Sequence, residues 1–185
     1  ATVTESNNFD GWGSAVSGVS AGETTTTVRI WKQDNFGEDL LANIWGGSLY
    51  YWDASAGLAN RAVELSSLSG SSNCPTRARI VLVSDNDRHV LALGTTPLGG
   101  STLDPLLIRW GSQESLTQWT PASTNTSGDL RINNGSEIIA AAENRQEILV
   151  WTDKSLHSLR FVGNPFVFGQ TIISQNITVM GPNSP

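Results

Sequence analysis

From Trp31 onward the chain is written in short apolar runs broken by Gly, Pro, Asn and Asp about every 8–12 residues, a spacing that belongs to strands and tight turns. Helical periodicity is almost absent. The runs predict strands over residues 39–43, 48–52, 78–83, 89–93, 105–110, 136–142, 147–151, 156–162 and 175–180. Several are separated by hairpin-length turns: Trp45-Gly46-Gly47, Asp85-Asn86-Asp87-Arg88, Glu143-Asn144-Arg145-Gln146 and Thr152-Asp153-Lys154-Ser155. Asn, Asp and Gly there supply positive φ or side-chain bonds to the turn backbone. The texture before Trp31 differs. Residues 1–30 are rich in Gly, Ser and Thr, with Trp12 between two glycines and an unbroken Thr24-Thr25-Thr26-Thr27 run, and read as an extended arm or linker ahead of a β domain over 31–185.

The strands repeat. Aligning Glu38-Asp39-Leu40-Leu41 with Arg88-His89-Val90-Leu91 and Gln146-Glu147-Ile148-Leu149 spaces Leu41, Leu91 and Leu149 by 50 and 58 residues. Each is followed by a second strand with an aromatic end: Leu49-Tyr50-Tyr51-Trp52, Leu106-Leu107-Ile108-Arg109-Trp110 and His157-Ser158-Leu159-Arg160-Phe161. A unit of about 50 residues built from short antiparallel strands is the size of a propeller blade. The expected fold is therefore all-β and antiparallel, part of a β-propeller with about three blades, with a β-sandwich as the alternative. Closed propellers carry about 4–8 blades, so the 155 residues from Trp31 fall short of a ring. Open strand edges invite another chain to pair.

Composition narrows the partners. Charged residues are 15% of the chain, against about 25% in ordinary globular domains, and Ser, Thr, Asn and Gly take their place, which excludes a coiled coil or a charged disordered tail. The formal net charge is −6, and the few basic residues are scattered, so the clustered positive footprint that holds nucleic acid is missing. No apolar stretch approaches the length of a membrane span. No basic and apolar leader is visible at Ala1–Asn8, and the Gly181-Pro182-Asn183-Ser184-Pro185 end stops within a turn, so the chain reads as a mature or trimmed piece of something longer. Cys74 is alone and cannot form an internal disulfide.

Candidate chemistry is sparse. Asp85, Asp87 and His89 alternate as strand neighbours would, but the two aspartates fall in a tight turn that needs such residues for backbone reasons. Asp34, Glu38 and Asp39 lack the spacing of a calcium loop. Ser155, Ser158, His157 and Asp153 lie within six residues, too close along one hairpin for a catalytic triad, and no G-x-S-x-G elbow surrounds either serine. A carboxylate pair for glycoside hydrolysis stays open. No catalytic, cofactor-binding or metal-ligating residue is assigned, and the chain is not expected to be an enzyme. Of the seven tryptophans, Trp52, Trp110 and Trp151 end predicted strands and are expected in the core, whereas Trp12 and Trp45, flanked by glycine, are expected nearer the surface.

One resemblance covers residues 31–185. The run Trp31-Lys32-Gln33-Asp34-Asn35-Phe36-Gly37-Glu38-Asp39-Leu40-Leu41-Ala42-Asn43, then Gly46-Gly47-Ser48-Leu49-Tyr50-Tyr51-Trp52-Asp53, resembles a signature of the structural proteins of short-tailed bacteriophages labelled tail nozzle, tubular or stabilisation proteins. Matches continue in order through Asp87-Arg88-His89-Val90, Asp104-Pro105-Leu106-Leu107-Ile108-Arg109-Trp110, Gln118-Trp119-Thr120-Pro121, Asn144-Arg145-Gln146-Glu147-Ile148-Leu149-Val150, Ser155-Leu156-His157-Ser158-Leu159 and Gly181-Pro182-Asn183-Ser184. The chain departs from the family at Ile44-Trp45, where a Pro-Arg pair is usual, and family members continue past the Gly-Pro-Asn-Ser run. The resemblance implies a virion protein, assembled in the host cytoplasm, with a propeller body in a ring of copies around the tail channel. Its partners would be other copies of itself, neighbouring tail and portal or adaptor proteins, and DNA in transit without specific binding. No cofactor is implied. An acidic channel wall would let DNA slide without sticking. A carbohydrate- or receptor-binding tail module is the alternative, and would need exposed aromatic rings sharing one groove.

Overall fold

The computed structural model describes residues 29–163 and 166–185, and within them the apolar runs pair into antiparallel meanders. The first sheet holds β1 (Trp31–Phe36), β2 (Asp39–Ile44), β3 (Leu49–Trp52) and β4 (Val63–Glu64) in that order. The second holds β5 (Ala78–Val83), β6 (Val90–Thr95), β7 (Leu107–Trp110) and β8 (Gly128–Arg131). The third holds β9 (Ile138–Asn144), β10 (Glu147–Thr152), β11 (Ser155–Gly163) and β12 (Val167–Gln175). Single turns of 3-10 helix at Ala54–Ala56 and Leu65–Ser67 are the helical segments among the described residues. None of the three sheets closes on itself, and three is one more than a sandwich uses. Trp31–Pro185 forms one contact-dense unit. The arm or linker expected over residues 1–30 falls, up to residue 28, outside the described residues.

The sequence repeat coincides with this layout. Leu41, Leu91 and Leu149 each lie in the second strand of their sheet, β2, β6 and β10, and the aromatic-ended segments supply the third strands, β3, β7 and β11. The strand expected over 175–180 is a correction. The fourth strand of the third sheet is β12, which stops at Gln175 opposite Ser155 because Asn176 turns to φ 59°, where its N–H donates to the Lys154 carbonyl at 2.7 Å. Strands β1, β4 and β8 were also not predicted.

Face-to-face stacking gives the sheets their order. On the second sheet, Val81, Val83, Val90 and Ala92 point one way and pack with Leu41 and Leu49 of the first sheet. Ile80, Leu82, Leu91, Leu93, Ile108 and Trp110 point the other way, onto Ile148, Val150, Leu159 and Phe168 of the third. Covered on both faces, β6 is buried at every position, whereas β10 alternates between buried and half-buried.

Strand β5 is the edge of the second sheet, yet its outward backbone groups are bonded. Asn43 in β2, fully buried, accepts the Val81 N–H through Oδ1 at 3.0 Å and donates through Nδ2 to the carbonyls of Ala78 at 2.9 Å and Arg79 at 3.0 Å. Asp34 Oδ2 accepts the Val83 N–H at 2.8 Å, and Glu143 Oε1 from β9 accepts the Asp85 N–H at 2.8 Å. Two neighbouring sheets thus hydrogen-bond one strand edge with side chains. Arg79 completes the join: its guanidinium donates to the Ile138 carbonyl, pairs with Glu137 at 2.6 Å and lies over the Trp45 ring at 5.4 Å from its centre.

Replacing Asn43 by Ala strands one buried N–H and two carbonyls, a loss of about 3 kcal/mol. That lowers Tm by roughly 6–12 °C for a domain of this size. Gln33→Ala, at an exposed β1 position, serves as the control and shifts Tm by less than about 2 °C. Thermal denaturation followed by far-UV circular dichroism reads both, and equal shifts would remove Asn43 from its role.

Candidate functional site

The densest group of titratable side chains gathers around the β5–β6 turn, where the three sheets meet. The turn carries Asp85 and Asp87; Asp34 reaches it from the first sheet and Glu143 from the third. Burial, with the carboxylates of Asp85, Asp34 and Asp87 nearby, pushes the Glu143 carboxyl up to about 7, against the Asp85 N–H that holds its charged form. Asp34, from β1, takes the Val83 N–H at 2.8 Å, and within the turn Asp87 accepts the Ser84 hydroxyl at 3.5 Å. Among the described residues no group of three or more His, Cys, Asp and Glu is arranged to hold a metal ion.

His89, the third member of the alternating set, turns away from the aspartates' side chains into the core. Its ring is fully buried among Phe161 and Phe168, 5.7 and 5.3 Å between centres, with Nε2 at 2.9 Å from Thr126 Oγ1 and no hydrogen-bond partner at Nδ1. Burial lowers its pKa, and the nearby Asp87 carboxylate and carbonyl oppose that shift. The imidazole is neutral and packs as an aromatic.

Ser155 and His157 meet on one face of the hairpin, without forming a triad. Positions two apart on β11 share a face, and Ser155 Oγ lies 2.7 Å from His157 Nε2, with Gln170 Nε2 at 2.6 Å from Nδ1. Because the Gln170 amide donates to Nδ1, the ring proton sits on Nε2 and points at the serine. That polarity is the reverse of what activates a nucleophile. Ser155 is fully buried and its Oγ also contacts Thr152 Oγ1 at 2.9 Å, so the group Thr152, Ser155, His157 and Gln170 ties β10, β11 and β12 together. Ser158 lies on the opposite face, where it bonds Glu147 beside Arg160. Asp153 accepts the N–H of Ser136 at 2.6 Å instead. Gly135 stands over that contact at φ 110°, where a Cβ would come within 2.7 Å of Asp153 Oδ1, so only glycine fits.

The tryptophans divide differently from expectation. Trp110 is buried, with its Nε1–H donated to the Thr126 carbonyl at 2.8 Å, but Trp52 and Trp151 are only half-buried. The correction has one cause: both rings project from the outer faces of the end sheets, where no described strand covers them. Trp45 is half-buried under Arg79, Trp119 is the fully buried ring that the sequence did not single out, and Trp12 lies outside the described residues. Trp31 is 49% exposed, with its ring tilted 44° against that of Tyr50 at 6.2 Å between centres.

Two depressions on the surface of the described residues are small. One of about 210 Å³ lies between Phe36, Val83, Asp85 and Arg88 and has one carboxylate in its lining, where glycoside hydrolysis needs two. Another, of about 10 Å³, is lined by Asp87, Glu143 and Glu147 and has room for about one water. Cys74 is buried, which pushes its thiol up to about 12, and Arg109 beside it is held by the carbonyls of Asn73, Thr96 and Trp119. No helix of the described residues is long and apolar enough to cross a membrane. A scan against protein-family models and a search of curated proteins both return no match to this chain.

Glu143 sets a pH dependence whose sign follows from its raised pKa. Folding strengthens its proton binding, so its contribution is full below its ordinary value of 4.5 and is lost as pH rises towards about 7. His89 and His157, with lowered pKa values, act in the opposite sense, so the difference between variant and wild type is the quantity to read. Glu143→Gln keeps the acceptor for the Asp85 N–H and removes the charge. Its Tm is expected to rise relative to wild type between pH 5 and pH 8, and a constant difference would contradict the assignment.

Proposed function

We propose that this chain is a structural component of a phage tail, in the tail tube or nozzle, which acts by packing against other protein subunits around the DNA channel. The observation that carries the reading is the stack itself. Three four-stranded meanders follow one another in chain order, and the first strand of the second sheet, β5, lies against β1 and β2 on one side and β9 on the other. Propeller blades converge on their first strands in the same way, which supports the reading of the body as a propeller section. The ordered sequence resemblance from Trp31 to Ser184 supports the tail assignment. His89, His157, Ser155 and Arg109 are all spent on packing or buried hydrogen bonds. The action is passive: DNA passes a chain of net charge −6 without specific binding.

A carbohydrate- or receptor-binding tail module is the second reading, favoured by one observation. Trp31, Tyr50 and Trp52 all project from the same outer face of the first sheet, as stacking rings for a sugar would. Native mass spectrometry of tail particles isolated through a tagged copy of the chain separates the two. The structural reading expects stoichiometric incorporation together with other tail proteins and no glycan-array signal. Recovery only as a free protein, or a glycan signal abolished by Trp31→Ala, would overturn it in favour of the second.

A further inference from the structure

Charge leaves the chain after Arg160: from Phe161 to Pro185 there is no Asp, Glu, Lys, Arg or His. Most of the large apolar side chains exposed among the described residues fall in this stretch, Val162, Ile172, Ile173, Ile177 and Met180 among them. The stretch is built around β12, nine residues long, which forms the outer edge of the third sheet. β11 occupies one side of β12. On the other, no backbone group of Val167–Gln175 has a partner among the described residues, apart from the Gln175 carbonyl, which accepts the Ser174 hydroxyl at 3.4 Å. The equivalent edges of the other two sheets are blunted. β4 has two residues and ends on Glu64, and β8 has four, with Asp129 and Arg131 among them. Shortness, charge and proline are devices that keep an edge from pairing, and β12 has none of them. The bulge that leaves Ile173 opposite no residue of β11 projects a further apolar side chain rather than a charge.

We infer that the outer edge of β12 is a strand-addition site: an extended, uncharged segment of another tail protein pairs with it and continues the third sheet by one strand. The inference rests on the assembly reading above and names its contact. The backbone selects an extended occupant, because a row of outward N–H and C=O groups is met in full only by another strand. The side chains select against charge. Nothing on β12 or after it attracts a charged segment, and a Lys or Glu laid beside Ile172 and Ile173 would be desolvated without a partner. β-Branched side chains fit, since they pack on the exposed Thr171 and Ile172 as cross-strand neighbours. Pairing of β12 with the β12 of a second copy is two-fold, whereas a ring around a channel repeats one contact head to tail. The other described strands of this chain are already engaged in its own sheets, so the added strand comes from a different protein. The contact uses one strand and does not depend on how many sheets the whole protein carries.

Hydrogen exchange followed by mass spectrometry compares the free chain with the chain in isolated tail particles. The amides of Val167–Gln175 are expected to exchange about tenfold or more slowly in the particle, and those of Gly128–Arg131, on the blunted edge of β8, at the same rate in both. A photo-cross-linking residue in place of Ile173 is expected to join an uncharged, extended segment of another tail protein. A join to a copy of this chain or to a charged segment overturns the inference, as does unchanged exchange of β12. Ile173→Lys puts a charge on the edge at an exposed position, and is expected to keep its strand signal in circular dichroism while incorporation falls by about tenfold or more. Incorporation at the wild-type level would contradict the site. If that variant loses its strand signal, Thr171→Lys, also exposed, replaces it on the same strand. A chain that enters tail particles with β12 unprotected sinks the strand contact alone; a chain that enters none sinks the assembly reading as well.

Discussion

The unpaired edge of β5 is the constraint on which the rest of the molecule turns. An edge strand exposes N–H and C=O groups that cost about 1–3 kcal/mol each if buried without partners, and β5 is buried because sheets lie on both sides of it. A further strand cannot pair with it without displacing β1 or β9. Short side chains solve this: Asn43 is both donor and acceptor and serves three backbone groups, Asp34 a fourth, and Glu143 the turn beyond. Those bonds fix the distance and the register between sheets, which apolar packing alone leaves loose. They also explain why a carboxylate with its pKa raised is kept at a crowded acidic junction: its acceptor is wanted there, and the proton is a consequence of burial.

The covered second sheet follows from that anchoring. With its edge bonded from both neighbours, its two faces are committed to two different apolar surfaces, and buried polar groups must find partners within them. Arg109 does so through three carbonyls, and His157 through Ser155 and Gln170. Such fully bonded groups specify one arrangement more sharply than additional methyl groups would, because slippage by one residue would strand them. His89 Nδ1 is the exception, and its aromatic surroundings keep the ring neutral.

The middle strands were legible and the outer ones were not, for a physical reason. Second and third strands are paired on both edges and covered on at least one face, so their apolar pattern is dense enough to read as a repeat. First strand β1 is Trp-Lys-Gln-Asp-Asn-Phe, whose polar residues face the uncovered side or reach across to β5, and β4 has only two residues. β12 was displaced in sequence because Ile177 and Val179 continue an alternation that the backbone abandons at Asn176. At the candidate site the turn role of Asp85 and Asp87 could be read from composition, whereas the meeting of Ser155 with His157 follows only from counting positions two apart as one face. The burial of Trp52 and Trp151 was overstated because strand ends say nothing about which sheet, if any, lies opposite.

The low charge content has the same origin as the stack. A sheet meant to be covered on both faces has no solvent side on which to place Lys and Glu, and a chain built of such sheets must be poor in charge wherever strands dominate. The charged residues that remain are concentrated at edges and turns. Asp34, Glu143 and Asp153 accept backbone N–H groups, Arg79 spans two sheets, Arg131 pairs with Asp104, and Arg160 pairs with Glu147 on the outer face of the third sheet. The outer face of the first sheet mixes Trp31, Leu40, Ala42, Ile44, Tyr50 and Trp52 with Gln33 and Asn35, as a face that no described sheet covers can, whereas the middle sheet keeps both faces apolar.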